Sequence, residues 1–491
     1  MLLGIDQGTT GTRAVLVDER LTIRASAYAA HAQHTPHPGW VEHDAEELWS
    51  NTQRVIAEVL AGGVRPTAVA IANQGETVML WDARTGKPVQ RALVWSDTRT
   101  EGMLPAFTLH ERAIRDATGL QVSSYFSATK LKWLLDENRG ARDLASKGYL
   151  RAGTIDTWLI DRLTQGEVFA TDASTAARTL LSEIDGCTWH QPLLDTFAIP
   201  RGILAEIRDS DGGFGACLGG ALDGVPIAAS IVDQPAALLG QGCVDRGDVK
   251  ATFGTGCFVY ANSGTERPRG QGTFATVAWR RGGETTYALD GGVLSVGSAI
   301  DWAGALGLPV DDAALATGGE PRAIEVGSPK LLRDAPVFVP ALSGLGAPHF
   351  DRGARGAWLG LTTGTTRADL VGAIAEGLAC RVVEVVRAIE EDAGVTVGTL
   401  RADGGLARSA PLMQRVADLL GARVAVAAEE EATVVGACAL VALRDGTVSL
   451  DDLRQRRARS QAHYQPRISA DERGARMARF GRALLLARQW R

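Results

Sequence analysis

Several features that usually announce a function are missing from this chain. Cysteine is scarce: six in 491 residues (Cys187, Cys217, Cys243, Cys257, Cys380 and Cys438), none in a CxxC pair. That scatter argues against a disulfide framework or a thiolate metal site. It fits small core residues in a reduced, cytoplasmic setting. No apolar run approaches the roughly 18 residues of a membrane helix. The opening MLLGIDQGTT has no charged segment ahead of an apolar stretch, so no signal peptide is expected. An excess of positive charge is also lacking. The balance is −6, which gives no reason to expect nucleic acid or an anionic membrane as partner. Low-complexity tracts and short repeats are absent too.

Two common phosphate-handling signatures are missing as well. There is no GxxxxGK[ST] loop, and the Gly-Lys pair in TGKPV (85–89) reads as a turn. Without an HRD or DFG set, a protein kinase is excluded. His31, His34 and His37 stand three apart, but two prolines in HAQHTPHPGW make that stretch read as an exposed loop rather than a metal site. No Ser-His-Asp arrangement can be argued from spacing.

What is present is ordinary in bulk. Hydrophobic content of 45% and charged content of 22% are those of a soluble globular protein. A chain of 491 residues is too long for one core, so at least two domains are expected. The 57 glycines imply many tight turns and close backbone approaches. Apolar runs at 2–5 and 14–17 flank DQGTTGTR and read as a hairpin. Asp44 followed by Glu47 suggests a helix start, with helical spacing to about Leu60. Residues 69–72 read as a strand, 130–138 as a helix, and 224–240 as strand, turn, helix. VKATFGTGCFVYA (249–261) repeats the opening hairpin about half-way along, so two related halves are expected. The tail from about Ala470 reads as an arginine-rich helix with a solvated charged face. Strands and helices alternate throughout, and the fold class is α/β.

Four stretches carry chemistry. In Asp6-Gln7-Gly8-Thr9-Thr10-Gly11-Thr12-Arg13, glycine lets backbone N–H groups turn towards an anion, threonines add hydroxyl donors and Arg13 adds a cation. Asp6, at a strand end, can hold Mg²⁺ through water, because Mg²⁺ keeps most of its water shell. The bland reading is a hairpin turn, but Phe253-Gly-Thr-Gly-Cys257 repeats the pattern and strengthens the case for phosphate loops. Asp233-Gln234-Pro235 follows an apolar strand and precedes an apolar helix. Asp233 reads equally as a general base at a strand end or as a helix cap. In RADGGLARSAPLMQ, Gly404-Gly405 allow close approach of a ring or phosphate, or simply a tight turn. Finally, in IANQGETVML (71–80) a polar block ends an apolar strand, and a buried Glu76 there needs a partner.

Together these pieces resemble the FGGY family of carbohydrate kinases. The resemblance is carried in order along almost the whole chain by GIDQGTTGTRAVLVD, PGWVEHD, NQGET, VWSDTRT, YFSATKLKWLLDE, GTIDTWLI, TDASTAARTLL, DQPAALLGQ, FGTGCF, LSGLGAPHFDRGARG, DGGLARSAPLMQ and VVGACALVAL. It implies two actin-like (ribonuclease-H-like) domains, 1–241 and 242–491, around a cleft that takes ATP and Mg²⁺. By position, Thr9, Thr10, Gly11 and Arg13 match the first phosphate loop, and Thr255 the second. Gly297, Asp301, Gly405 and Ser409 match nucleotide contacts, Asp6 the Mg²⁺-side aspartate, and Asp233 the catalytic base. Gly75, Glu76, Trp95, Tyr125, Asp233, Gln234 and Phe258 match the substrate pocket. Five departures stand out from the members it most resembles. Gly11 replaces a serine, Asp301 and Ser409 replace Gln and Asn, Trp95-Ser-Asp97 replaces Trp-Gln, and Gly75 replaces the pocket arginine.

The implied reaction is ATP-dependent phosphorylation of a primary hydroxyl of a small polyol, glycerol to glycerol 3-phosphate. A longer polyol or ketose (tetritol, pentitol or pentulose) is the alternative, because Gly75 leaves room. A non-catalytic nucleotide- and sugar-binding relative and an actin- or chaperone-type ATPase are disfavoured by the presence of Asp6, Asp233, both loops and the pocket residues. The expected partner is a small polyol or sugar, with no nucleic acid and no membrane, and the family suggests a homo-oligomer (dimer). The stretch CLGGALDGVP (217–226) lacks the arginine of a sugar-bisphosphate loop, so no inhibition by such a ligand is expected.

Overall fold

Two sheets built on one plan organise the chain. A computed structural model describes residues 1–308, 310–312, 335–428 and 431–490. In the first sheet, strand Leu2–Gln7 lies at the centre, antiparallel to Gly11–Val17, which is antiparallel to Ile23–Ala30. On its other side it runs parallel to Ala68–Asn73, and that strand parallel to Ile227–Val232. The order is third, second, first, fourth, fifth. The second sheet repeats it. Val249–Phe253 is antiparallel to Cys257–Gly264 on one side and parallel to Thr399–Asp403 and then Arg423–Ala427 on the other. Glu284–Val293 continues beyond Cys257–Gly264, and Phe274–Arg281 and Ser460–Tyr464 close the edges. This is the ribonuclease-H-like arrangement present twice, as in actin-like proteins.

The local reasons are visible in sequence. AVAIAN and IAASIV are buried at every position, as strands covered on both faces must be. Asp44 caps helix Ala45–Val59, accepting the N–H groups of Glu46 and Glu47 at 2.9 and 3.3 Å. That helix buries Leu48, Val55, Ile56 and Val59 against one face of the first sheet. Helix Ala432–Arg444, from the far end of the chain, covers the other face, so one apolar cluster unites Val15, Ala70, Ile231 and Leu238 with Val434, Cys438 and Leu440. It crosses helix Asp233–Gly240 at two glycines. A Cβ on Gly240 would lie 1.9 Å from the Ala432 carbonyl oxygen, and one on Gly436 1.8 Å from that of Ala236. The crossing therefore admits no side chain at either position. The arginine-rich tail forms helix Ala470–Gln489 and buries Phe480, Ala483, Leu484 and Ala487.

Two sequence expectations need correcting. Strand Ile227–Val232 runs directly into helix Asp233–Gly240, with no turn residue between them. His31 is buried rather than exposed, with its ring 4.6 Å from that of His43. Its partner is the backbone of the first loop, which spacing alone does not disclose. All six cysteines are free and buried. No helix among the described residues is long and apolar enough to cross a membrane.

Candidate active site

Parallel strands deliver their C-terminal ends to one edge. In the first sheet, Leu2–Gln7 ends beside Asn73, and Ala68–Asn73 ends beside Val232. Asp6, the block 73–77 and Asp233 therefore meet along that edge, where open α/β sheets bind ligands. In the second sheet, Val249–Phe253 and Thr399–Asp403 run parallel and bring the loop 254–256 to Gly404-Gly405. The approach is close: with φ at +86°, Gly404 would place a Cβ 2.4 Å from the Phe253 carbonyl oxygen.

Both expected phosphate loops are held from behind. The Gly8 N–H donates to the Gly11 carbonyl at 3.0 Å. The Trp95 indole N–H donates to Thr9 Oγ1 at 2.9 Å. His31 Nε2 lies 2.8 Å from the Thr9 carbonyl oxygen, and the Tyr28 hydroxyl donates to the Thr10 carbonyl at 3.2 Å. A Cβ at Gly11 would sit 2.3 Å from that hydroxyl, so a side chain there would have to displace the exposed Tyr28 ring. Arg13 pairs with Glu431 at 2.9 Å. In the second loop the Gly297 N–H donates to the Gly254 carbonyl at 3.0 Å, and the Val296 and Ser298 N–H groups donate to the Thr255 carbonyl. Gly297 begins helix Gly297–Ala305, and Asp301 is exposed one turn further on. The Ser409 hydroxyl donates to Asp312 at 2.5 Å.

Near the loops three aromatic rings cluster. Trp95 stands edge-on to Tyr125 and Phe258, with ring centres 5.6 and 6.1 Å apart. Buried Lys130 fixes this wall, donating from Nζ to the carbonyls of Trp95, Ser124 and Tyr125 at 3.1, 2.5 and 2.8 Å. Glu76 adopts a left-handed backbone, φ +59°, rare for a side chain with a Cβ and a mark of a position held by its surroundings. Its carboxylate accepts from Arg178 Nε at 2.6 Å, and Arg178 Nη2 donates to Asp290 Oδ2 at 2.8 Å. Burial pushes Glu76 up to about 7 against the pull of Arg178. Asp97 does not fill the space at Gly75. It accepts from Arg99 and from the Val41 N–H.

Asp233 opens its helix and accepts the Gln234 N–H at 2.6 Å. Burial pushes it to about 6, with the Lys250 charge pulling the other way. Lys250 Nζ donates to Gln234 Oε1 at 2.6 Å and Thr252 Oγ1 at 2.7 Å. Asp6 is pushed to about 7 by burial and by the charges of Asp233 and Glu431, and its buried Oδ1 has no hydrogen-bond partner. An under-satisfied carboxylate whose charge is opposed by two others fits a divalent cation. No cluster of three ligating side chains occurs among the described residues, so such an ion would keep most of its water, as Mg²⁺ does.

The structure thus brings Asp6, Glu76, Trp95, Tyr125, Asp233, Gln234 and Phe258 into one neighbourhood beside the two loops. Sequence reasoning missed Arg178, Asp290, Lys250 and Lys130. Lys250 offered a signal, a lysine inside the apolar strand VKATF. Arg178 offered less, standing in TDASTAARTLL among small residues.

Comparison with known proteins gives the same outline. A family model described as the FGGY family of carbohydrate kinases, N-terminal domain, matches residues 1–240, and that for the C-terminal domain matches 249–444. Glycerol kinase of Alkalilimnicola ehrlichii is 42% identical over 504 residues, covering 100% of this chain and 98% of its own. That of Deinococcus radiodurans is 40% identical over 496 residues, with coverage of 100% and 98%. The crystal structure of Plasmodium falciparum glycerol kinase with ADP has a TM-score of 0.91 at 31% identity, covering 99% of this chain and 98% of its own. Xylulose kinase from Rhodospirillum rubrum has a TM-score of 0.83 at 22% identity over 99% and 98%, a likeness that speaks for the fold alone.

Proposed function

The chain belongs to the FGGY family of carbohydrate kinases and is an ATP-dependent kinase, and we propose that its acceptor is glycerol, phosphorylated to glycerol 3-phosphate with Asp233 as general base. The observation that carries this reading is the company these side chains keep. Three aromatic rings, Trp95, Tyr125 and Phe258, stand with Glu76, Arg178, Asp233 and Gln234 in one cluster, a combination that suits a short carbon chain bearing several hydroxyls. The longer-polyol alternative has lost its motive. It rested on the room left by Gly75, and a Cβ there would already lie 3.0 Å from Val232 Cγ2 and 3.9 Å from Arg178 Cγ. Full-length relatives at 40–42% identity are glycerol kinases, whereas the xylulose kinase likeness falls below 25%.

In the proposed mechanism the acceptor's primary hydroxyl gives its proton to the Asp233 carboxylate. A bond forms from that oxygen to the γ-phosphorus, and the bond to the departing ADP oxygen breaks. A base held near 6 is ionised at neutral pH yet basic enough to take a proton in flight. Trp95, Tyr125 and Phe258 cover the carbon chain. Gln234, whose Oε1 is engaged by Lys250, turns its NH₂ end to a hydroxyl. Thr9, Thr10, Gly11, Arg13 and Thr255 cradle the phosphates, and Gly297, Asp301, Gly405 and Ser409 line the nucleoside side. Mg²⁺, held through water near Asp6, supplies charge neutralisation for the phosphates when bound. The same proposal divides the chain into domains 1–241 and 242–491, places it in the cytoplasm and makes it a dimer.

The test is ADP release with a panel of polyols and sugars, repeated with Asp233→Ala. Glycerol should give the highest kcat/KM, and the variant should lose turnover. Acceptor-independent ADP release alone, or a pentitol or ketose preferred over glycerol, overturns the assignment. Turnover surviving in Asp233→Ala overturns the base.

A further inference from the structure

Arg178 is among the most deeply buried charged residues of the chain, 1% exposed, yet its hydrogen bonding is incomplete. A guanidinium carries five donors and stays protonated in proteins. Nε is on Glu76 and Nη2 on Asp290, but Nη1 is buried without a partner. Buried donors on a charged group are rarely left so, and each exception asks for a ligand or a water. The group stands among the candidate site residues. Its carbon Cζ lies 6.0 Å from the centre of the Tyr125 ring and 5.3 Å from that of Phe126, and its charge is felt by Asp233. It also adjoins the glycine that raised the question of a missing arginine. A Cβ built on Gly75 would lie 3.9 Å from Arg178 Cγ and 3.0 Å from Val232 Cγ2. The volume a side chain at 75 would enter is therefore bordered by the stem of Arg178.

We propose that Arg178 reads the acceptor, its Nη1 donating a hydrogen bond to a hydroxyl other than the one phosphorylated, so that position 178 supplies the guanidinium that position 75 does not. The two carboxylates fix the fork. Glu76 comes from the first sheet's edge and Asp290 from strand Glu284–Val293 of the second. The unengaged donor is thereby aimed by groups from both halves of the molecule. A planar fork held on two sides offers its third edge in one direction only, which suits it to selecting a hydroxyl by position.

The inference deepens the glycerol reading and rests on it. Its test compares glycerol with 1,2-propanediol and 1,3-propanediol, which lack the far terminal and the central hydroxyl respectively. Parent enzyme and Arg178→Lys are assayed with all three. Lysine keeps the charge and removes the fork. If Nη1 holds a hydroxyl, Arg178→Lys loses about tenfold or more in kcat/KM for glycerol, mostly through KM, since a site built for a hydroxyl rejects the analogue lacking it. The parent's preference for glycerol over one of the diols shrinks by the same factor. If Arg178 is only a strut, the preference over both diols survives whatever happens to the absolute rate, and the proposal falls. A crystal structure of the parent with glycerol and an unreactive ATP analogue decides the matter even if the variant does not fold. Nη1 within about 3.2 Å of a glycerol oxygen upholds the proposal, and Nη1 facing only protein or water overturns it. Failure of the glycerol reading is separately visible, as absence of glycerol-dependent ADP release by the parent. The diol comparison then transfers to deoxy analogues of whichever polyol is used.

Discussion

Lys250 lowers the pH at which Asp233 becomes a base, against the effect of burial, and removing it should raise that pH. Burial raises Asp233 to about 6, and Lys250 is the strongest of the influences lowering it. A nearby opposite charge is worth about 1–3 pKa units to a carboxylate. Taking the low end, Lys250→Met carries the Asp233 midpoint from about 6 to about 7. Methionine nearly matches the lysine stem, so the change is chiefly electrostatic. A base must be ionised to act, so kcat/KM for glycerol falls on the acid side of the midpoint. At pH 6 about half of the parent is ionised and about a tenth of the variant, a roughly fivefold loss. At pH 8 the two differ by about a tenth. Gln234 also loses its partner at Oε1, but that effect on KM does not vary with pH. The assay is kcat/KM for glycerol between pH 5 and 9 at saturating Mg-ATP. Bound phosphates and metal displace both midpoints together, so the difference between the two proteins is the diagnostic. An unmoved acid limb refutes the role of Lys250. An acid limb that persists in Asp233→Asn, with a loss far short of the 10²–10⁴-fold typical of a missing general base, refutes the role of Asp233 itself.

Three further outcomes turn on single positions. Asp6 has its folded pKa raised from 3.8 to about 7, so ionising it costs stability that is absent below pH 3.8 and fully felt above about pH 7. Asp6→Asn should therefore melt higher than the parent at pH 8 without Mg²⁺, and the gap should close towards pH 4; a lower melting point at pH 8 contradicts this account. Gly436→Ala drives a Cβ to 1.8 Å from the Ala236 carbonyl oxygen. At about 1–3 kcal/mol of overpacking it should lower Tm by roughly 5 °C in a thermal scan, and an unchanged Tm would mean that the helix crossing is looser than described. Gly75→Arg adds a guanidinium where one already stands, against Val232 Cγ2 at 3.0 Å. It should gain less than about threefold in kcat/KM for glycerol, and a tenfold gain would show that the pocket lacks a cation.

The duplicated plan was legible because its elements are long and their ends are punctuated. Strands buried on both faces read as unbroken apolar runs, and each first hairpin turns on a Gly/Thr loop. The smaller four-stranded sheet that supports Trp95 and Glu76 was not legible. Two of its strands, Glu42–His43 and Ala92–Leu93, are two residues long. Two residues carry no period, so nothing local distinguishes them from loop. The junction at Val232 was misread for a related reason. An Asp-Gln-Pro start looks like a turn until the strand is seen to feed the helix directly, which is also what aims the Asp233 carboxylate out of the sheet's edge.

The site divides along the same line. Asp6, Glu76 and Asp233 stand at or just beyond the ends of strands, and a carboxylate at the end of an apolar run is conspicuous. Their partners are not. Arg178 reaches Glu76 across 102 residues and Asp290 across 112, and no spacing rule spans such gaps. Position 75 is where this matters most. Compared position by position, a glycine in place of an arginine is the loss of a charge and the opening of a hole. In space the hole is bordered by Val232 and by the stem of another arginine, and the charge is present 103 positions later in the chain. Position-wise comparison assigns a role to a residue number, whereas binding requires only that a donor of the right shape arrive at the right point. The meaning of Gly75 therefore depends on Arg178, and a substrate preference inferred from Gly75 alone would have erred towards a larger sugar.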